Sequence, residues 1–281
     1  RKRFCQQMAG GYDLSAADID LDGDLDLATA SYYGDFVCWY ANNGDGTYGA
    51  QQLVVENKNQ VSTSRLVDLN VDGLPDIITN ASSSAVIWNN GGGATWTPDT
   101  LPGLGTSRCE VDIDGDLDID LIGSGQWYEN DGTGEFTVHA EALLTSGLVQ
   151  AGDLEGDGDV DLVIGSTGGI SALINDGTQS FTSVASPGNV VRFGMADLDG
   201  DGDLDLAAMP GTINIRGYYN NGSGTFTEQT LYTGGAGFTR TILVDDLNGD
   251  GFADVAWALS NGYTHQTYYN LNLGDGTLGP A

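Results

Sequence analysis

One nine-residue pattern, carboxylate-x-carboxylate/Asn-x-Asp-Gly-x-x-Asp, recurs six times along these 281 residues. Recurrence at a near-constant interval is the mark of a repeat architecture, and it restricts the fold more than any local propensity does. The copies are Asp18, Asp20, Asp22, Gly23, Asp24, Asp26; Asp68, Asn70, Asp72, Gly73, Leu74, Asp76; and Glu110, Asp112, Asp114, Gly115, Asp116, Asp118. They continue with Asp153, Glu155, Asp157, Gly158, Asp159, Asp161; Asp197, Asp199, Asp201, Gly202, Asp203, Asp205; and Asp246, Asn248, Asp250, Gly251, Phe252, Asp254. In this frame the first residues lie 42 to 50 residues apart, the length of one four-stranded propeller blade.

The residues around each copy support that reading. A short apolar strand enters the loop, as at 192–196, and a β-rich strand leaves it, as at 161–165. An aromatic strand follows and ends in an Asn/Gly turn, as at Trp39–Gly46 and Trp127–Gly132. A fourth strand opens with Tyr48, Trp96, Phe136, Phe181 or Phe226. The sixth copy is followed by almost no fourth strand, whereas residues 3–8 resemble 226–231. The expectation is an all-β chain, one β-propeller domain over residues 1–281 with six four-stranded blades. A strand near residues 3–9 would complete the last blade and remove an exposed edge.

These copies resemble the FG-GAP or VCBS-type repeats of integrin α-subunit propellers and of fungal propeller lectins, and the resemblance spans essentially the whole chain. In that family the first, third, fifth and ninth loop positions give side-chain oxygens to Ca²⁺ and the seventh gives a backbone carbonyl. The resemblance therefore implies six sites: Asp18, Asp20, Asp22, Asp24 and Asp26; Asp68, Asn70, Asp72, Leu74 and Asp76; Glu110, Asp112, Asp114, Asp116 and Asp118. The remaining three are Asp153, Glu155, Asp157, Asp159 and Asp161; Asp197, Asp199, Asp201, Asp203 and Asp205; and Asp246, Asn248, Asp250, Phe252 and Asp254. Glu110 and Glu155 depart from the short side chains of the pattern and imply weaker sites.

The residue types independently favour a hard divalent ion. Ca²⁺ takes six to eight oxygens at about 2.3–2.6 Å, and alternate residues of a tight loop aim several carboxylates at one centre. No Cys or His accompanies the loops, which argues against Zn²⁺. An EF-hand would need flanking helices where these loops have strands. The chain has 40 acidic against 9 basic residues and a formal charge of −31, which bound ions would offset in part. Such a charge disfavours nucleic acid and anionic membranes, and no apolar run reaches the roughly 18 residues of a spanning helix. A start at Arg1 without Met or an apolar leader core reads as a processed or excerpted soluble chain. Cys5, Cys38 and Cys109 have no framework spacing and read as free thiols.

The ion accounts for stability, so recognition belongs elsewhere. If the acidic loops join first to second strands, they share an end of each sheet with the Asn/Gly turns. Lys58, Arg65, Arg108, Arg192, Arg216 and Arg240 then fall at the opposite end, with Tyr33 and Tyr263 beside them. Two readings stand: an arginine-lined funnel for an anionic or hydroxylated glycan or an acidic protein partner, or cations that neutralise local carboxylates such as Asp13, Asp35 and Asp99. No catalytic residue is assigned, since His139 and His265 lie in different repeats and no triad spacing occurs. The expected function is an extracellular, Ca²⁺-stabilised recognition module, lectin-like or adhesive; the alternative is a polysaccharide lyase or hydrolase, or a scaffold domain of one.

Overall fold

The computed structural model describes residues 11–281 except 57–60, 82–83, 92–94, 102–103, 105–108, 146, 187–189, 191, 211–213, 235–237, 261–264, 274–276, 278 and 280–281. The chain divides into two compact units, Arg1–Val111 with Leu117–Glu141, and Asp112–Asp116 with Ala142–Ala281.

In the first unit, β1 (Gly11–Ala17), β2 (Asp26–Ser31), β3 (Phe36–Tyr40) and β4 (Gln52–Val55) form one antiparallel sheet in chain order. A second sheet has β5 (Arg65–Val67), β6 (Asp76–Ala81), β7 (Ser84–Asn90) and β8 (Trp96–Leu101), and a third has β9 (Cys109–Val111), β10 (Asp120–Ile122), β11 (Gln126–Asn130) and β12 (Phe136–Ala140). In the second unit, β13 (Leu148–Gly152), β14 (Asp161–Ser166), β15 (Gly169–Asn175) and β16 (Phe181–Ser186) make the fourth sheet. The fifth has β17 (Arg192–Ala196), β18 (Asp205–Met209), β19 (Ile215–Asn220) and β20 (Phe226–Tyr232), and the sixth has β21 (Phe238–Asp245), β22 (Asp254–Ser260) and β23 (His265–Asn270).

This is an all-β propeller arrangement, with no helix among the described residues. The expected six four-stranded blades are realised in five. Among the described residues the sixth sheet has three strands, and the expected closing strand at 3–9 lies outside those residues.

Alternation along the second strands explains the stacking, because successive side chains point to opposite faces of a sheet. Ile77 packs toward the first sheet with Ala28, Ala30, Val37 and Trp39, while Ile78 packs toward the third with Leu121 and Tyr128. In the other unit Leu206 and Ala208 join Val163, Ile170 and Ala172 of the fourth sheet, and Ala207 and Met209 join Val255 and Trp257 of the sixth. Strands buried on both faces read as continuous apolar runs, which is why 161–165 and 205–209 carry no polar alternation.

A candidate metal centre in each repeat

Each acidic loop links the first and second strands of its sheet and is built around two carboxylates. The first-position group gathers the loop's own amides: Asp18 accepts from the N–H of Asp22 at 3.0 Å and of Gly23 at 2.9 Å, and Asp197 from Gly200 at 2.7 Å and Gly202 at 3.0 Å. Asp68, Asp153 and Asp246 do the same in their loops. For Asp246 these donated bonds hold the carboxyl below its ordinary pKa. Folding the loop around one side chain requires a left-handed residue at the sixth position, met by Gly23, Gly73, Gly158, Gly202 and Gly251 with φ between 86° and 97°.

The ninth-position group closes the loop from inside the sheet. Asp205 has no exposed surface; its carboxylate accepts from Leu198 N at 3.0 Å and from Asn220 N, at the end of the third strand, at 2.7 Å. Asp26, Asp161 and Asp254 repeat the arrangement with Ile19 and Asn42, Leu154 and Asn175, and Leu247 and Asn272. Burial pushes the Asp205 carboxyl up to about 6, against the two donated bonds, and raises that of Asp161 as well.

The third loop corrects the sequence frame by two residues. Asp120, not Asp118, is the fully buried group that accepts from Asn130 N at 2.8 Å, as Asp26 does from Asn42. Leu117, at φ 79°, takes the left-handed place that glycine fills in the other five loops. Asp118 instead crowds Gly132, as Asp24 crowds Gly44 and Asp159 crowds Gly177, which marks it as a seventh-position residue. Glu110 is a strand residue of β9, paired across the sheet with Leu121 and bonded to Arg65 at 2.7 Å. The frame is therefore Asp112, Asp114, Asp116, Asp118 and Asp120. Six acidic residues in strict alternation, Glu110 to Asp120, admit both frames, and Gly115 belongs to the fourth position, like Gly156, Gly200 and Gly249.

The donor sets suit a hard cation. In the first loop Asp18, Asp20 and Asp22 offer oxygens within 4.8 Å of one another, and in the fifth Asp197, Asp199 and Asp205 do so. Asp20 Oδ1 is buried without a hydrogen-bond partner, a position costly for a carboxylate unless an ion meets it. Desolvation, then neighbouring carboxylates, raises the pKa of Asp20; desolvation and Asp201 raise that of Asp199. Desolvation, then Asp157 and Asp161, raises that of Glu155 too, so the fourth loop shares this environment despite its longer side chain.

At the opposite end of the sheets two of the arginines have acidic partners. Arg65, at the start of β5, pairs with Glu110, and Arg216 pairs with Glu228 on the neighbouring strand β20. The partners are other carboxylates than Asp13 and Asp99, which accept Ser64 N at 2.9 Å and Thr100 N at 2.7 Å. Arg192 begins β17 and is exposed. Arg240 lies within β21, with its side chain outside the described residues, as are Lys58, Arg108 and Tyr263. Tyr33 is 68% exposed in the turn between β2 and β3, edge-on to Tyr32 at 5.1 Å. His139 bonds Glu129 at 2.5 Å and stacks on Trp127. Cys38 is buried, and burial pushes the Cys109 thiol up to about 11.

The family model for the FG-GAP-like repeat matches residues 18–79, 153–208 and 197–257, together more than half of the chain. The chain belongs to the FG-GAP-like repeat family. Among solved structures, an Agrocybe aegerita lectin described as recognising non-reducing terminal N-acetylglucosamine is similar over 95% of this chain and 78% of its own, at 22% identity and a TM-score of 0.69. A BBS1N chain solved in complex with ARL6DN matches 95% of this chain and 81% of its own at 13% identity and 0.61. A chain of the Photorhabdus luminescens Tc holotoxin pore matches 94% of this chain and 14% of its own at 20% identity and 0.52. At these identities the likeness is one of fold. No curated protein sequence matches.

Among residues the sequence reading passed over, the third-strand asparagines matter most. Asn42, Asn130, Asn175, Asn220 and Asn272 each sit beside a ninth-position carboxylate, and all but Asn42 are buried. Their signal was an Asn two residues before a turn glycine at the end of each aromatic strand.

Proposed function

We propose that this FG-GAP-like propeller is a Ca²⁺-stabilised extracellular recognition module whose ligand is a glycan, bound at the end of the sheets opposite the acidic loops. The glycan assignment rests on the fold likeness, over 95% of the chain, to a lectin described as recognising terminal N-acetylglucosamine. The exposed Tyr33 ring supports it, since a sugar ring stacks on such a surface. Arg192 and Arg240 supply cationic donors for hydroxyl or carboxylate oxygens. Arg65 and Arg216 serve the fold through their acidic partners.

Each loop would hold one Ca²⁺ through its first, third, fifth and ninth side chains and its seventh carbonyl, with Asp112, Asp114, Asp116, Asp118 and Asp120 in the third. The unsatisfied Asp20 oxygen supports this fit. A bound ion neutralises the clustered carboxylates and ties the first strand to the second. We assign residues 3–9 as the outer strand of the sixth blade, consistent with the three strands described there.

A glycan array with and without Ca²⁺, carrying terminal N-acetylglucosamine and sulfated and uronic polysaccharides, tests the reading. Ca²⁺-dependent retention of unaltered glycan is expected, with Tyr33→Ala and Arg192→Gln each weakening it by about 1–3 kcal/mol while the melting temperature holds. Depolymerised polysaccharide would establish the enzyme reading instead, and a silent array would remove the glycan assignment.

A further inference from the structure

Four of these asparagines, Asn130, Asn175, Asn220 and Asn272, each bond two repeats at once. The Asn220 backbone N–H goes to Asp205 of its own loop at 2.7 Å, while its side-chain amide donates to the carbonyl of Leu154, in the loop of the preceding repeat, also at 2.7 Å. Leu154 occupies the second loop position, between the first and third ligand residues, and its own N–H goes to Asp161 at 2.8 Å. One step further, Asn272 donates to Leu198 O at 2.7 Å and to Asp254 through its N–H at 2.7 Å, and Leu198 N–H returns to Asp205 at 3.0 Å. An unbroken chain of hydrogen bonds thus runs Asp161, Leu154, Asn220, Asp205, Leu198, Asn272, Asp254.

The pattern extends beyond these three repeats. Asn175 donates to Ile113 O at 3.0 Å, and Asn130 to Leu69 O at 2.7 Å. Asn130, Asn175, Asn220 and Asn272 are at most 5% exposed, so each bond forms away from water, where polar groups polarise one another and an unmade bond is costly. The same side chains also brace their own loops, Asn175 donating to Val160 O at 3.2 Å and Asn272 to Ala253 O at 3.1 Å.

We infer that these asparagines are positioning residues that couple ion binding in neighbouring repeats. An ion in one loop fixes the peptide at position two and the buried ninth carboxylate together. That fixed carbonyl holds the next repeat's asparagine, which in turn orients the next ninth carboxylate before its own ion arrives. Part of the ordering cost of the second site is met by the first, which makes uptake positively cooperative around consecutive repeats.

This inference rests on the Ca²⁺ reading, and calorimetric titration of the chelator-stripped full chain with Ca²⁺ alone separates the two. The expected parent isotherm is cooperative. Asn220→Ala keeps every ligand side chain and should bind the same number of ions with a shallower isotherm and roughly tenfold weaker affinity at the affected sites. Asn221→Ala, one residue along the same turn, should match the parent. Asp201→Ala cripples the fifth site while leaving the relay residues in place; it should lose one ion and also weaken the sites that remain, which keeps the test decisive if Asn220→Ala does not fold. A parent-like isotherm for Asn220→Ala, or loss of one ion from Asp201→Ala with all other affinities unchanged, would overturn the coupling alone. Absence of Ca²⁺ uptake by the parent would overturn the metal reading with it.

Discussion

The two ends of each sheet are built on different principles. At the acidic end the same constellation recurs with only local substitutions: a first carboxylate collecting loop amides, a left-handed sixth residue, and a buried ninth carboxylate clamped by the second position and the third-strand asparagine. At the other end the described turns differ from one another. The β2–β3 turn exposes Tyr33, Arg65 is tied to Glu110, and Ser62 and Thr63 converge on Asn80. On the function proposed above, the repeated end carries the stability and the varied end is free to specify a partner.

The strongest way to break this contrast is chelation. If the acidic end carries the fold, excess EGTA should lower the melting temperature by on the order of 10 °C or more, since several carboxylate clusters lose their counter-ion together. An unchanged melt would mean the loops stand on hydrogen bonds alone.

The next largest effect is a reversal of pH dependence on removing the ion. The folded Asp205 carboxyl lies at about 6, above its ordinary 3.8, so the stability it contributes is present below pH 3.8 and lost as pH rises through 6. In chelator, the Asp205 contribution should therefore fall by about 3 kcal/mol at most between pH 4 and 7, and Asp205→Asn should flatten that slope. Under saturating Ca²⁺ protons compete with the ion, and stability should instead fall toward acid. Melts of both proteins across this range, with and without EGTA, read out the sign; the same slope in both conditions would count against an ion at this loop.

Substitution within the loop end offers a finer comparison. Asp201→Ala should cost about 2 kcal/mol under saturating Ca²⁺, whereas Asp45→Ala, which removes the exposed turn bonds from Thr47 N and Oγ1, should cost about 0.5 kcal/mol. Urea melts should show that difference shrinking in EGTA. The smallest effect distinguishes the third loop from its counterparts: Leu117→Gly should stabilise by about 1 kcal/mol, because Leu117 is 86% exposed and holds φ 79° at a steric cost glycine avoids. Destabilisation there would contradict the two-residue shift of frame.

The recurrence of the loop and the strand patterns between copies made the β-propeller class and the blade spacing legible, because period-two burial and turn glycines are properties of short segments. The frame of the third loop was not legible. Glu110 to Asp120 alternate so regularly that Gly115 matches the sixth-position glycine, and it takes the burial of Asp120 beside Asn130 and the left-handed Leu117 to distinguish the frames. The asparagine bonds between repeats join residues 61 to 74 positions apart, a separation at which local pattern is silent. Arginine partners were equally hidden, since Glu110 reaches Arg65 across 45 residues of chain.

The central claim, that the acidic loops are Ca²⁺ cages, is tested most directly by counting ions. Protein stripped with chelator, reloaded in excess Ca²⁺ and desalted should retain about six Ca²⁺ per chain by elemental analysis, one for each loop. Retention of none, or of a single ion, would contradict the account.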